Sequence, residues 1–495
     1  MNENDGNPYD PSKASTHGTA NPDAIGSDTV VPSHYLYPFI LVTSLFALWG
    51  FANDITNPLV KAFKDIFQIT NEQSTWVQMA FYGGYASMAI PAALVLRKLS
   101  YKWGIVIGLL LYAIGALLFI PASLYMQFNM FLVALYILTF GLAFLETAAN
   151  PYILSLGPAE TATRRLNLAQ AFNPIGSLTG MVVAATLILP NLTTEDFRKN
   201  EIEKHPEYET MLPAERDGIL NNSLKSFSEN SVAEFEQMQM TDLATVRTPY
   251  VVIAVVVLAV LVLFLVSKMP NTGDENDKIQ MGALLAKLLN ARYIGGVLAQ
   301  AFDVGAQIMC WTFVIHYGVT LCGLSAASAQ QHNIIAMVLF LSGRFICTYL
   351  MRFINPGLLL GILSLAGAVL IYFVITLQNM TGLYCLLAAS GCMSLMFPTI
   401  YGIALDGLTP EDAKLGSAGL IFAIVGGAWM PKWQGALIDA KGVSWIEGLV
   451  APLQNVISPD GEPTATSFVL PLICFLMVSI YGFVFSSGSR SSAKS

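Results

Sequence analysis

Apolar runs of about twenty residues, long enough to cross bilayer hydrocarbon as a helix, recur along this chain between short polar turns. The pattern predicts twelve spanning helices, at 36–58, 75–96, 103–123, 130–154, 168–190, 249–267, 293–316, 331–351, 357–377, 382–405, 416–438 and 467–486. Polar residues and glycines dilute the fifth, seventh and eleventh. An even number of spans places both termini on one side. The expected fold is all-α and multi-pass, with two six-helix halves divided by the connection 268–292. A weak internal echo fits duplication, because Arg97-Lys98 and Met351-Arg352 each precede a Gly-x-x-x-Gly helix start, at Gly104–Gly108 and Gly357–Gly361.

Composition agrees with the pattern. A soluble chain of 495 residues would divide into several domains, but 54% hydrophobic and 12% charged residues describe a protein solvated mainly by a lipid bilayer. The formal charge of −8 sits in a polar tail 1–34 and an acidic connection 191–248, so the membrane body is nearly neutral. Neither acidic part has a basic counterpart that would engage nucleic acid. The six cysteines lack CxxC or Cys/His spacing and read as small hydrophobes rather than metal ligands. No phosphate-binding loop, zinc signature or nucleophile elbow is present, which argues against ATP-driven pumping and against an enzyme. No cofactor is called for.

Charge also orients the chain. Arg97, Lys98, Lys102, Arg164, Arg165, Lys268, Arg292, Arg352 and Lys414 gather on one side of the spans, which the positive-inside rule makes cytoplasmic. The expected organisation is a disordered cytoplasmic tail 1–34, a first bundle 35–267 carrying the extracytoplasmic loop 191–248, a cytoplasmic linker 268–292, a second bundle 293–487 and a tail 488–495. The expected location is the plasma membrane, with both termini cytoplasmic. Three Asn-x-Ser/Thr sequons, at Asn191, Asn221 and Asn379, all fall outside in this topology, so glycosylation is an open reading.

Polar residues inside the spans carry the candidate chemistry. Glu146 lies in the apolar run 131–154, where an ionised carboxylate costs about 2.5–3.5 kcal/mol. Such an acid marks an ion or substrate pathway, or else only ties helices together. Asn150 follows one turn later, and Pro151 frees a backbone carbonyl that some donor must satisfy. Asn53, Asp54 and Asn57 interrupt the first helix before Pro58. Asn167, Gln170 and Asn173 form one polar edge of the fifth, able to donate and to accept. Gln300, Asp303, Gln307 and Trp311 share a stripe on the seventh. Amide, carboxylate and ring together suit a polyhydroxylated ligand, whose CH face an aromatic covers. Phe397-Pro398 in the tenth and Gly426-Gly427 in the eleventh add irregular backbone. Arg344 is expected to snorkel or to pair across the interface.

The runs Phe46–Asn53, Leu145–Tyr152, Arg165–Asn173, Gly305–Gln307 and Arg97–Gly104 resemble the fucose:proton symporter family of the major facilitator superfamily over most of 36–486. The resemblance implies two six-helix bundles, alternating access and a monosaccharide of fucose, galactose or glucose type carried with a proton. It gives Glu146 the role of central acid and places Gln170, Asn173, Gln307 and Trp311 around the cavity. Asp54 and Asp303 become candidates for relaying the proton, and Asn53, Asn57, Asn150, Gln300 and Phe397 for further sugar contacts. The pattern also departs from the bacterial fucose symporters. Their second acid falls at Asn57 and an amide at Asp54, a tyrosine stands at Phe397 and an aromatic at Asp303. The expected cycle protonates outward-facing Glu146, binds sugar, rocks inward and releases the proton to the cytoplasm from a functional monomer. An uncoupled uniporter and a non-transporting sugar sensor are the alternatives.

Overall fold

The computed structural model describes residues 29–486 apart from 57–58, 70, 75, 212, 271–287, 325, 439–443 and 459–460. Most of the two terminal tails, the middle of the linker, Asn57 and Pro58 therefore lie outside the described residues. Twelve helical segments there are long and apolar enough to cross a membrane, and they follow the order of the apolar runs. Each half buries its own core. Val42, Phe46, Leu109 and Leu138 belong to the first; Met309, Leu360, Ile371 and Phe475 belong to the second. Tyr401, Leu420 and Ile424 of the second half pack into the first core where the halves meet.

The region 191–248, expected as a loop, is largely helical. Helices run over Thr193–Lys204 and Pro213–Asn230, and the sixth span starts early as one helix, Val232–Val266. Asp242 explains the first of these. Its carboxylate accepts from the backbone N–H and the hydroxyl of both Thr193 and Thr194, satisfying donors that a helix start leaves unpaired. Arg198 then reaches Asp65 beside the first span at 3.0 Å, a pair almost wholly buried, and also donates to Asn221. All three sequon asparagines thus bond within the fold, since Asn379 caps the helix Met380–Met393 through its side-chain oxygen and Asn191 Nδ2 donates to Leu187 O at 3.2 Å.

The two halves are joined at the end that carries the basic turns. Tyr101 donates to the Pro410 carbonyl, and Lys414 donates to Leu99 O at 3.0 Å while lying over the Tyr101 ring. Arg164 Nε meets Thr348 O at 3.2 Å, and Asn167 Nδ2 meets Thr399 Oγ1 at 3.1 Å. These bonds close the basic-loop end.

Within the first half, the first and fifth spans touch backbone to backbone. A Cβ on Gly176 would fall on the Ala47 carbonyl, and one on Gly50 on the Asn173 carbonyl. Neither neighbour is a side chain that can swing aside. Gly176→Ala is therefore expected to cost about 1–3 kcal/mol, the usual price of overpacking, and to push Asn173 from its place. Thermal unfolding in detergent checks this; an unchanged midpoint would mean that the spans separate freely.

Candidate functional site

Three spans are broken beside one cavity. The fifth is interrupted between Ala162–Gln170 and Asn173–Val183. The tenth is interrupted between Met380–Met393 and Met396–Ala404. The eleventh passes through a tight turn at Ala423–Val425 before Gly426–Ile438. Residues at these breaks, Gln170, Asn173, Phe397 and Ile424, line a cavity between the halves with about 830 Å³ of atom-free space, its mouth included. Irregular backbone at membrane depth is tolerated where it faces such a cavity, and the volume lies within the range of small-molecule sites.

Proline chemistry shapes the floor. A helical proline cannot bond the carbonyl four residues earlier. Pro151 vacates Thr147 O, which Ser417 of the other half takes at 3.2 Å. Pro174 vacates Gln170 O and Pro398 vacates Ser394 O. One guanidinium satisfies both, as Arg344 Nη1 donates to Gln170 O at 2.7 Å and Nε to Ser394 O at 2.6 Å. Arg344 is buried, lies over the Phe340 ring and bridges the halves. Snorkelling is thus set aside and pairing across the interface stands. The carbonyls hold Arg344 inside because they would otherwise lack donors.

Glu146 opens onto the cavity with 6% of its surface exposed. Tyr85 donates to its carboxylate at 3.0 Å. Asp54 lines the same space from the first span, beside Tyr82. Asn53, Gln170, Asn173, Gln307, Trp311 and Phe397 also face it, so eight of the nominated residues converge. Asn57 lies outside the described residues.

Three nominated residues do not line the cavity but stand behind it. Asn150 is fully buried and accepts from Gln170 Nε2 at 2.9 Å. Asp303, also fully buried, accepts from Gln307 Nε2 at 2.8 Å and more weakly from Gln300 at 3.4 Å. Gln300 is buried beside it, with its side-chain oxygen unbonded. Helical pitch gives the reason. Positions i, i+3, i+7 and i+11 hold one stripe only approximately, and here Gln307 and Trp311 face the space while their predecessors turn into the second bundle. Asp303 acts on the cavity through Gln307 and lies within electrostatic range of Arg344. Arg344, Tyr82, Tyr85 and Trp49 line the cavity as well, beyond the residues that the sequence singles out for it. The arginine was visible as a charge in an apolar run, whereas tyrosines and tryptophans are ordinary in membrane helices.

The arrangement can therefore do two things. Amides and carboxylates from both halves can bond several hydroxyls, while Trp49 and Trp311 offer ring faces from opposite bundles. Trp311 is fixed for that task, donating Nε1–H to Ser390 Oγ at 3.2 Å and packing edge-on against Phe340 at 5.0 Å. The carboxylic acid at the same cavity can take and release a proton. Among the described residues no cluster of three or more metal-ligating acid, histidine or cysteine side chains occurs.

Known proteins share this architecture. The model of the Major Facilitator Superfamily matches residues 42–193. The L-fucose-proton symporter of Haemophilus influenzae is 48% identical over 456 residues, which is 92% of this chain and 97% of that one. A glucose/galactose transporter of Brucella abortus is 30% identical, over 96% of this chain and 98% of its own length. The solved structure of FucP in the outward conformation superposes with a TM-score of 0.75 at 32% identity, covering 91% of this chain and 99% of FucP. The sequence of the chain, its twelve spans and its cavity between two bundles thus agree with one another: it belongs to the fucose:proton symporter family of the major facilitator superfamily.

Proposed function

We propose that this chain carries a monosaccharide of fucose, galactose or glucose type into the cell together with a proton, by alternating access. The observation that carries the reading is Glu146, an acid in the middle of a spanning helix that faces a polar, aromatic-lined cavity at the meeting of the two bundles. The related proteins named as L-fucose-proton symporters and glucose/galactose transporters support both halves of it.

The cycle follows from geometry and charge. With the basic-loop end closed, the cavity receives proton and sugar from the other side. Glu146 takes the proton, and Asp54 at the same wall is positioned to pass it or to bond a sugar hydroxyl. Asn53, Gln170, Asn173 and Gln307 supply hydroxyl partners, with Trp311 and Phe397 against the apolar face. Asn57 is assigned to the same group from sequence. Asn150, Gln300 and Asp303 orient Gln170 and Gln307 from behind. Neutralising the acid removes the penalty of carrying charge through a closed, water-poor state, so the loaded carrier can rock. Opening of the basic-loop end then hydrates Glu146, and proton and sugar leave.

The basic-loop end is taken as cytoplasmic, the membrane as the plasma membrane and the working unit as a monomer. Cys322, half-buried beyond the end of the seventh span and away from the basic turns, tests the orientation. A membrane-impermeant maleimide is expected to label intact cells in a manner lost in Cys322→Ser; labelling of that site only after lysis would invert the topology. Substrate is tested by competition uptake with fucose, galactose, glucose, mannose, arabinose and N-acetylglucosamine, with and without a protonophore. Accumulation of one sugar that the protonophore collapses is the expected result. Uptake indifferent to it would indicate a uniporter, and binding without uptake a sensor.

A further inference from the structure

Among the described buried polar groups that the transport cycle does not use, one stands next to the cavity wall. Tyr401, in the lower half of the tenth span, is fully buried, and its hydroxyl meets no acceptor in good hydrogen-bond geometry. A buried, poorly partnered hydroxyl is costly and calls for an explanation. Its ring stacks on that of Phe397 at 6.3 Å and 18°, so it sits one turn below the cavity wall, toward the basic-loop end. Ser417 is the polar group beside it; the serine hydrogen is directed to the carbonyls of Thr147 and Lys414, which leaves its oxygen as a weak acceptor for Tyr401. Thr147 is the residue next to Glu146. The Tyr401 hydroxyl, held by no more than that weak contact, is therefore a donor on the second bundle that can be redirected, set against the segment of the first that bears the coupling acid.

The reaction cycle contains a step that needs such a donor. After sugar and proton leave, the empty carrier must reset with Glu146 ionised and enclosed between the bundles. An enclosed carboxylate with few donors is strongly disfavoured, and in this structure Tyr85 is the donor bonded to it. We propose that Tyr401 is a positioning residue for Glu146, donating its hydroxyl hydrogen to the carboxylate once that group has lost its proton and holding the charge while the empty carrier resets. The inference rests on the symport reading and adds a role within it. No bond other than the hydrogen bond forms, and the proton stays on Tyr401.

The groups around Tyr401 fit the role. Glu146 from the fourth span, Tyr101 from the third and Tyr293 from the seventh lie within electrostatic range of its hydroxyl. Lys414 of the eleventh span stands over the Tyr101 ring. From the fifth span, the neighbours of this helix are the uncharged Thr163 and Asn167. Tyr101 donates to Pro410 O and Tyr293 to Gly416 O at 2.7 Å, so their hydroxyl hydrogens are already directed to carbonyls.

The test separates net transport from exchange, because exchange cycles only the loaded, protonated carrier and never visits the charged empty one. Tyr401→Phe keeps the ring and removes the donor. In proteoliposomes, net proton-driven uptake is expected to fall by about tenfold or more, the size of a lost hydrogen bond to a charged group. Sugar counterflow in the same vesicles is expected to stay within about twofold, a difference worth well under one hydrogen bond, and it also reports that the variant is folded. In a Glu146→Gln background, adding Tyr401→Phe is expected to change counterflow no further, since no charge remains to hold. Equal losses in net uptake and exchange would assign Tyr401 a packing role, and equal retention would assign it none. An effect that persists without the Glu146 charge would place its partner elsewhere. Each of these overturns the proposal. Failure of the symport reading itself would be seen separately, as wild-type vesicles that do not accumulate sugar under a proton gradient.

Discussion

Glutamine at position 146 is expected to abolish proton-driven accumulation of sugar while leaving counterflow measurable. The substitution keeps the shape of the side chain and mimics the protonated acid, with an amide that can still meet the Tyr85 hydroxyl now bonded at 3.0 Å. What it removes is the ability to change charge. A carrier locked in the neutral state can rock when loaded and can exchange one sugar for another across the membrane. It has no proton to release, so the gradient no longer drives it. Loss of accumulation with counterflow retained in reconstituted vesicles is the signature. Accumulation that survives would remove Glu146 as the coupling acid and shift attention to Asp54, the other described acid on the cavity wall.

Alanine at position 344 is expected to be comparably severe for a different reason. Arg344 satisfies Gln170 O and Ser394 O, two carbonyls vacated by prolines in opposite bundles, and it lies within electrostatic range of Asp303. Removing one partner from a buried charged set costs about 3–5 kcal/mol, which is roughly two to four orders of magnitude in an equilibrium between states. Transport in Arg344→Ala is expected to fall by that order. Arg344→Lys should recover only part of it, since an ammonium lacks the planar fork that serves two acceptors at once. Adding Asp303→Asn to the alanine variant is expected to restore some activity, because it removes the stranded charge. That coupling is read from a double-mutant cycle of uptake rates. Strictly additive losses would mean that Asp303 and Arg344 act independently.

The membrane fold was legible because lipid imposes a simple rule on sequence. Every span needs a long, predominantly apolar run, and the described spans match the apolar windows in number and order. The same rule hides detail outside the bilayer. Helices at Thr193–Lys204 and Pro213–Asn230 depend on a remote cap, Asp242, and on the Arg198–Asp65 pair, and no periodicity within the loop announces either. Glu146 was legible as an expensive charge in an apolar run, and Pro151 correctly announced a carbonyl needing a donor, which proved to be Ser417. Arg344 was visible as a charge, yet its place was not. Its orientation follows from two prolines far apart in sequence, and only the packing of fifth, eighth and tenth spans brings their carbonyls together. The stripe from Gln300 to Trp311 divided into a lining pair and a supporting pair, because small angular drifts along a helix decide which side chains reach a cavity.

The most direct test of the coupling between sugar and Glu146 is sugar-evoked proton entry into vesicles loaded with a pH-sensitive dye, with no gradient imposed beforehand. Adding a transported sugar should acidify the interior of wild-type vesicles and leave the pH of Glu146→Gln vesicles unchanged. Sugar entry without acidification in the wild type, or acidification that persists in the glutamine variant, would contradict a symporter whose proton rides on Glu146.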